Sequence, residues 1–178
     1  MARTPEADGT STPRYRIRPA VDADRDGLRR VLRAAYETRF PTAYEGAVLA
    51  VALPLMTEPQ PVLVASGRYF LAETDEAGIV GCGGWSAERP GSGEVVPGLA
   101  HVRHFAVDPA WEGRGIGRAL FAASAEGAAR DGRLEFECYA SLNAEAFYRT
   151  LGFVPEARVE IPLGPGVRFA ALLMRRAE

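Results

Sequence analysis

The chain has 178 residues, of which 47% are hydrophobic and 25% are charged, so it is long enough for one globular domain with its own core. Its 21 cationic residues are all arginines and nearly balance 23 acidic residues, and the net charge of −2 argues against a general nucleic-acid-binding protein. The two cysteines, Cys82 and Cys138, lie far apart without a CxxC pair, which indicates neither a disulfide framework nor a metal site.

The N-terminus and the longest apolar run predict neither a signal peptide nor a membrane span. Residues 1–14 are rich in Thr, Pro, Ser, Gly and charge, which predicts a disordered tail followed by one domain over residues 15–178. No apolar core of a signal peptide is present there. The longest apolar run, Ala47–Met56, is shorter than the roughly 18 residues that a membrane span needs. These features predict a cytoplasmic protein that binds neither membrane nor nucleic acid.

The first half of the chain alternates between strand and helix patterns. Tyr15 to Pro19 predicts a first strand, and Asp22 is a candidate N-cap for the helix that follows. That helix carries an apolar stripe at helical spacing, formed by Leu28, Val31, Leu32, Ala35 and Tyr36. A second, apolar helix is expected within Tyr44–Met56, interrupted near Pro54. Two strands around an acidic turn with Gly78 then predict a hairpin.

The second half continues the alternation after a loop rich in Pro and Gly, Glu88–Gly98. A central strand is predicted over Leu99–Val107, stopped by Asp108 and Pro109. Further elements follow in the order helix, strand, short helix and two strands, at Arg118–Arg130, Leu134–Tyr139, Asn143–Leu151 and on both sides of Pro162–Gly166. The order predicts one α/β (α+β) domain with a mixed sheet.

The most informative segment is a glycine-rich turn between a strand and a helix, Glu112-Gly113-Arg114-Gly115-Ile116-Gly117. Glycine lets the backbone turn tightly and lets a ligand approach it closely. The free amides at a helix start favour an anion such as a pyrophosphate. Without lysine the chain has no P-loop, and the glycines do not fit GxGxxG because Arg118 and Leu120 stand at its last position.

This segment resembles the acetyl-coenzyme A loop of the GNAT N-acetyltransferases, whose pattern is [Gln/Arg]-x-x-Gly-x-[Gly/Ala]. The departure is Glu112, which places a negative charge near a polyanion that Arg114 and Arg118 could offset. Downstream, Asn143-x-x-x-Phe-Tyr148-x-x-x-Gly-Phe153 is similar to the second half of the family signature, with one residue fewer between Asn and Tyr than in many members. N-capping is the alternative role for Asn143, the only asparagine in the chain.

The resemblance covers about Tyr15 to Arg175, and it implies a mixed, mostly antiparallel sheet of six or seven strands flanked by about four helices. It implies an acetyltransferase that uses acetyl-coenzyme A as co-substrate, without a metal, to acetylate a primary amine. The implied cofactor-binding positions are those of the strand end, the turn and the second motif: Phe105, Ala106, Val107, Glu112, Gly113, Arg114, Gly115, Ile116, Gly117, Arg118 and Asn143. Such folds are also compatible with a homodimer.

Two side chains are candidates for proton transfer. The resemblance implies Tyr148 as the general acid for the leaving thiolate, because a phenol stays protonated at neutral pH; packing against the cofactor is its alternative role. Some family members carry a base six positions before the residue equivalent to Val107, where this chain has His101. Alternation predicts that His101, Arg103, Phe105 and Val107 share one face of the strand, with His104 on the other. His104 and Glu73 are weaker candidates.

Three functions remain open at the level of sequence. The first is an N-acetyltransferase, and the second is a non-catalytic acyl-coenzyme A-binding or sensor protein with the same fold, which Glu112 favours and Tyr148 disfavours. The third is a plain structural domain, which two matching motifs argue against. The acceptor cannot be read from the residues, because it depends on irregular segments, namely Phe40–Pro61, Glu88–Gly98 and Pro162–Gly166.

Overall fold

A computed structural model describes residues 15–177, so the predicted tail over residues 1–14 lies outside the described range. Seven strands run through these residues: β1 (Arg16–Pro19), β2 (Tyr69–Thr74), β3 (Gly78–Ser86), β4 (Leu99–Val107), β5 (Glu135–Ser141), β6 (Val154–Gly164) and β7 (Val167–Arg176). The helices are α1 (Arg25–Arg39), α2 (Gly46–Met56), the short α3 (Pro61–Ala65), α4 (Ile116–Arg130) and α5 (Glu145–Thr150).

All seven strands join one sheet in the order β1-β2-β3-β4-β5-β7-β6. Every neighbouring pair is antiparallel except β4 and β5, which run parallel. The sequence-based expectation of a mixed, mostly antiparallel sheet of six or seven strands is confirmed. A parallel pair needs a crossover, and here α4 provides it.

The parallel pair is bonded only along a short stretch. Leu99, Ala100 and His101 pair with residues 135–137, and no pairing between β4 and β5 continues beyond them in the described part of the chain. From there β5 stays bonded to β7 up to Ser141, while β4 stays bonded to β3 up to Val107. The C-terminal ends of the two central strands therefore separate, which leaves an opening in the middle of the sheet.

Helices cover both faces of the sheet and form separate cores. On one face, which we call the α1 face, α1 to α3 pack with β-strand residues that include Cys82, Ala106 and Phe169. On the opposite face, the α4 face, α4 and α5 pack with residues that include Ala100, Val102 and Cys138. Both cysteines are buried and free, as expected of small apolar thiols.

An irregularity in β4 changes which side chains share a face. His104 has a φ of +46°, and the register with β3 shifts between Cys82 and Gly84. Ala100 and Val102 lie on the α4 face, so His101 and Arg103 lie on the α1 face. After the bulge, Phe105 and Val107 pack with α4-face residues. The prediction that these four residues share one face is therefore wrong, because a bulge inserts one residue and reverses the alternation.

The sequence predicted the presence of the long helices more accurately than the residues at which they begin and end. Asp24, rather than Asp22, precedes α1, and its carboxylate accepts a hydrogen bond from the Val21 amide at 2.9 Å. Helix α2 continues past Pro54 to Met56, and α4 begins at Ile116, two residues before the predicted start. Helix α3 was not predicted, because five residues are too few to display a helical period.

The apolar region is longer than the run seen in the sequence. Gly46–Ala65 has 20 residues and a mean hydropathy of 1.5, which by length and composition would suffice for a membrane span. In the structure it is divided into α2 and α3, and 33% of its apolar 18-residue window is buried. Buried residues such as Leu49, Ala52 and Leu63 belong to the α1-face core, as in the core helices of a globular domain.

Candidate active site

A cavity with a volume of about 520 Å³ lies where β4 and β5 separate. Its floor is the end of β4, and its walls come from α1, the glycine-rich turn, the start of α4 and α5. The lining residues are Ala35, Tyr36, Arg39, Phe40, Phe105, Ala106, Val107, Trp111, Glu112, Gly113, Gly115, Ile116, Gly117, Arg118, Ser141, Asn143, Ala144, Ala146, Phe147, Tyr148 and Thr150.

The cavity brings together most of the residues proposed from the sequence. Ten of the eleven cofactor-binding candidates line it, together with the proposed acid Tyr148. The eleventh, Arg114, is outside the lining, and its guanidinium lies over the Trp111 ring at 4.4 Å from the ring centroid. His101 is also outside the lining.

The turn before α4 adopts the backbone shape that its glycines permit. Gly113 and Gly115 have φ angles of +74° and +77°, in the left-handed region that other residues rarely adopt. Gly115 is the N-cap residue of α4, so no side chain caps the first amides of this 15-residue helix. Free helix-start amides attract anions. The turn is therefore a suitable cradle for a phosphate group.

Gly117 serves a different purpose, which is close packing between two helices. A Cβ atom at this position would lie 2.8 Å from the Phe147 ring, nearer than side-chain atoms approach each other. The absence of a side chain lets the first turn of α4 approach α5. The two parts of the family signature meet at this contact, which forms one wall of the cavity.

Glu112 is held by an arginine from a distant part of the chain. Arg39, the last residue of α1, donates to the Glu112 carboxylate through Nε at 3.1 Å and also through its terminal nitrogen. Both residues line the cavity. The negative charge at the position where the family prefers Gln or Arg is thus paired with a cation.

Two tyrosines hold the irregular end of β4. The Tyr69 hydroxyl donates to the His104 carbonyl at 2.9 Å, and the Tyr36 hydroxyl donates to the Phe105 carbonyl at 3.3 Å. Beyond His101, β4 has lost β5 as a neighbour. Its backbone groups on that side consequently face the opening instead of a strand, and they can bond a ligand.

Tyr148 lies in α5 and is 7% exposed. Burial is the main cause that raises the pKa of its hydroxyl well above the usual value of 10. The phenol therefore remains protonated at physiological pH, as a proton donor must. Its ring packs at 70° against Phe153, which fixes the side chain in the wall of the cavity.

The proposed bases lie away from the cavity lining. His101 is 1% exposed, and its Nδ1 lies 3.4 Å from a carboxylate oxygen of Glu137, without hydrogen-bond geometry on either ring nitrogen. Burial lowers the pKa of His101, and it lowers the pKa of His104 to about 4. Glu73 lies on β2 and bonds Arg16 and Arg18, which lower its pKa to about 2.

Sequence reasoning missed the contribution of α1 to the site. Ala35, Tyr36 and Arg39 line the cavity, although Ala35 and Tyr36 were assigned only to the apolar face of their helix. Phe40, the first residue of the segment expected to bear on the acceptor, lines it as well. A helical period cannot distinguish a side chain that fills the core from one that borders a cavity within it. In the range 15–177, no group of His, Cys, Asp and Glu residues is arranged to hold a metal ion.

The chain is similar to known acetyltransferases in sequence and in structure. Over 72 residues the chain is 40% identical to mycothiol acetyltransferase of Kocuria rhizophila, a match of 39% of this chain and 23% of the length of that relative. A GCN5-related N-acetyltransferase structure from Rhodopseudomonas palustris has a TM-score of 0.71 and 22% identity, covering 94% of this chain and 97% of the other. PaiA N-acetyltransferase from Thermoplasma acidophilum, in complex with coenzyme A, has a TM-score of 0.70 and 14% identity, covering 93% and 99%.

Both structural likenesses have sequence identities below 25%, so they establish the fold alone. The family is established by sequence, because the model of the acetyltransferase (GNAT) domain matches residues 65–155, about half of the chain. That range includes β2 to β5, the glycine-rich turn and α5. The chain belongs to the GNAT acetyltransferase family.

Proposed function

We propose that this protein is an N-acetyltransferase that transfers the acetyl group of acetyl-coenzyme A directly to a primary amine. The observation that carries the proposal is the cavity between the separated ends of β4 and β5, which joins the glycine-rich turn to Tyr148. Membership of the GNAT family and the coenzyme A bound to PaiA N-acetyltransferase support the same cofactor.

The cofactor would extend across the cavity from the turn to the strand end. Its pyrophosphate would accept hydrogen bonds from the amides around Gly113 to Gly117, and Arg118 would add a positive charge. Its pantetheine arm would bond the open backbone edge at Phe105 to Val107, much as a strand would. The thioester would then lie beside β4, with α5 on one side and α1 on the other.

Transfer requires an attack, an oxyanion and a leaving group. The lone pair of a neutral amine forms the C–N bond, the C–S bond breaks, one amine proton leaves, and the thiolate takes up a proton. The products are an amide and the free thiol of coenzyme A. A backbone amide at the end of β4 would stabilise the oxyanion. Tyr148 would protonate the thiolate. Its place in the wall supports this role, and its raised pKa keeps the proton on the phenol until transfer.

The proton of the amine would leave to solvent. Glu112 is the only carboxylate among the described residues lining the cavity, and no histidine is among them. Alkyl amines with a pKa near 10 are mostly protonated at neutral pH. We therefore expect the acetylation rate to rise with pH as the neutral amine becomes more abundant.

The test is a calorimetric titration with acetyl-coenzyme A, followed by measurement of thiol release with a panel of amines. Binding together with amine-dependent release of the thiol is the expected result. Binding without release on any amine would favour the alternative of a non-catalytic acyl-coenzyme A-binding or sensor protein. Absence of binding would refute both functions and leave only the fold.

Three further expectations from the sequence stay predictions. They are a cytoplasmic location, the lack of nucleic-acid and membrane partners, and a fold compatible with a homodimer. Fractionation of cells and sedimentation of the purified protein test them. Because the apolar region Gly46–Ala65 is long enough to span a membrane, the membrane fraction should be assayed beside the soluble fraction.

A further inference from the structure

Arg103 is an arginine without an acidic partner on the α1 face of the central sheet. Its two hydrogen-bonding partners are both neutral: Ser86 Oγ at 3.0 Å and Gln60 Oε1 at 2.8 Å. No carboxylate lies within ion-pair distance of it among residues 15–177. Arginine keeps its proton in proteins, so this is a permanent positive charge.

The surroundings explain why the charge is unpaired. The buried carboxylate on the neighbouring strand, Glu137, is 1% exposed and already binds Arg89 at 3.2 Å and Arg175 at 2.9 Å. Partial burial lowers the pKa of the Arg103 guanidinium, and Glu88 offsets part of this effect without forming an ion pair. A half-buried charge without a counterion is unfavourable, so the site favours binding an anion.

The partners of Arg103 also hold its guanidinium in place. The Ser86 hydroxyl accepts from Arg103 and donates to the Glu88 carbonyl at 2.7 Å, so its proton is already used. Arginine only donates hydrogen bonds, so the Gln60 oxygen must face it and the Gln60 amide group points away. Two of the five guanidinium N–H groups are occupied, and three remain for a ligand.

The position of Arg103 connects this charge to the proposed reaction. His101 is the last β4 residue that pairs with β5, and Phe105 is the first β4 residue that lines the cavity. Arg103 lies between them, two residues before Phe105 and next to the bulge at His104. It lies on the α1 face, the same face as Tyr36, which lines the cavity and bonds the Phe105 carbonyl. A molecule that approached the thioester from this face would meet Arg103.

We infer that the acceptor is an amine that carries a carboxylate, and that Arg103 binds this carboxylate while the amine attacks the thioester. The guanidinium and the outward amide of Gln60 would both donate to it, and the planar fork of arginine matches a carboxylate. The inference rests on the proposed function and narrows it to amino-acid-like substrates. The acetyl transfer itself is the step already described.

The test compares matched amines with and without a carboxylate. Wild-type protein is assayed with acetyl-coenzyme A and phenylalanine against phenethylamine, tyrosine against tyramine, and lysine against cadaverine. We expect kcat/KM to be about 10- to 100-fold higher for the carboxylate-bearing member, the range of a charge-assisted hydrogen bond. Arg103→Gln should remove this preference, and Arg103→Lys should restore part of it.

A second variant keeps the test informative if Arg103→Gln does not fold. Gln60→Glu has nearly the same shape and supplies Arg103 with an internal carboxylate. It should raise the melting temperature, lower kcat/KM for carboxylate-bearing acceptors by about 10-fold or more, and leave the binding of acetyl-coenzyme A unchanged. Arg33→Met, which removes an exposed arginine paired with Glu37 within α1, is the matched control and should change nothing.

The outcomes separate the two levels of the proposal. Acetylation of the plain amines alone, or an equal rate for both members of each pair, overturns the carboxylate site and leaves the N-acetyltransferase standing. A carboxylate preference that survives in both Arg103→Gln and Gln60→Glu overturns the assignment to Arg103. No transfer to any amine overturns both proposals.

Discussion

At the scale of single residues, the irregular end of β4 depends on two tyrosine hydroxyls. A positive φ at a residue other than glycine, as at His104, costs on the order of 1–3 kcal/mol and persists only where surrounding contacts impose it. Tyr69 and Tyr36 supply such contacts by bonding the carbonyls of His104 and Phe105. The bulge thereby fixes the point at which the sheet opens into the cavity.

Tyr148→Phe isolates the role of one hydroxyl in the wall. We expect turnover to fall by about 10- to 100-fold. This is at or below the lower end of the roughly 100- to 10,000-fold that a general acid contributes. The binding of acetyl-coenzyme A should stay within a few fold, because the ring and its packing are retained. Steady-state kinetics and calorimetry measure the two quantities separately. Unchanged turnover would remove Tyr148 as the proton donor.

His104→Asn tests the effect of a buried histidine on stability. Burial, and secondarily the charge of Arg103, lower the pKa of His104 to about 4, below the usual 6.5. A lowered histidine pKa means that the unfolded chain binds the proton more readily, so stability falls as the pH falls below 6.5. Between pH 7 and pH 5 the free energy of unfolding should fall by about 2 kcal/mol through this residue.

The asparagine variant should lose that part of the pH dependence while keeping the backbone shape, because asparagine tolerates a positive φ. Urea unfolding of both proteins at pH 7, 6 and 5 measures the difference. The paired carboxylates Glu58 and Glu73, whose pKa values are about 2, do not interfere in this range. An identical pH slope in both proteins would contradict the burial effect at His104.

At the scale of elements, α1 links the two sides of the site. Its apolar stripe packs on the sheet, Tyr36 bonds the strand end, and Arg39 reaches the glycine-rich turn. The pair between Arg39 and Glu112 spans 73 positions of sequence. A surface pair of this kind adds at most about 1 kcal/mol to stability. The pair should affect the binding of a neighbouring phosphate more strongly than it affects stability. Glu112 repels the phosphate, and it also keeps Arg39 from binding the phosphate.

Glu112→Gln should therefore tighten the binding of coenzyme A. The substitution removes one negative charge at the cavity and leaves Arg39 free to face a phosphate. We expect binding to be about 3- to 10-fold tighter at low salt, with a smaller gain at high salt. Calorimetry with coenzyme A measures it, and pantetheine, which has no pyrophosphate, is the control that should not respond. Weaker binding would mean that the pair serves to hold the turn.

At the scale of the whole molecule, the cavity lies between the two helical layers and within the sheet. A ligand there touches α1, β4, the turn and α5 at once. It would bridge the strand ends that no longer bond each other. Binding should consequently stabilise the fold as a whole rather than one element.

Acetyl-coenzyme A should raise the melting temperature by about 5 to 10 °C at a concentration 100 times its dissociation constant, which corresponds to about 2.7 kcal/mol. Gly115→Val should melt at a lower temperature by itself, because valine does not favour a φ of +77°. It should also show no shift with the ligand if the turn holds the pyrophosphate. A normal shift in a folded variant would refute the phosphate cradle.

The sequence alone determined the features that depend on neighbours along the chain. The apolar stripe of α1, the alternating strands and the glycine-rich turn are set by local periodicity and by the backbone freedom of glycine. Their order and about half of the cavity lining could therefore be predicted. The helix starts were less accurate, because capping is decided by one or two hydrogen bonds. At α1 a short 3-10 turn, Asp22–Asp24, precedes the helix, and the Asp24 carboxylate bonds the Val21 amide rather than an amide of α1.

Only the tertiary structure decided the features that depend on distant residues. The bulge at His104 reversed the side chains of β4, placing Arg103 and Phe105 on opposite faces, because the register with β3 and the hydroxyls of Tyr36 and Tyr69 impose it. The free charge of Arg103 likewise follows from other strands and loops, whose arginines already occupy Glu137. Such pairings bring together residues tens of positions apart, and no local pattern encodes which partners remain free.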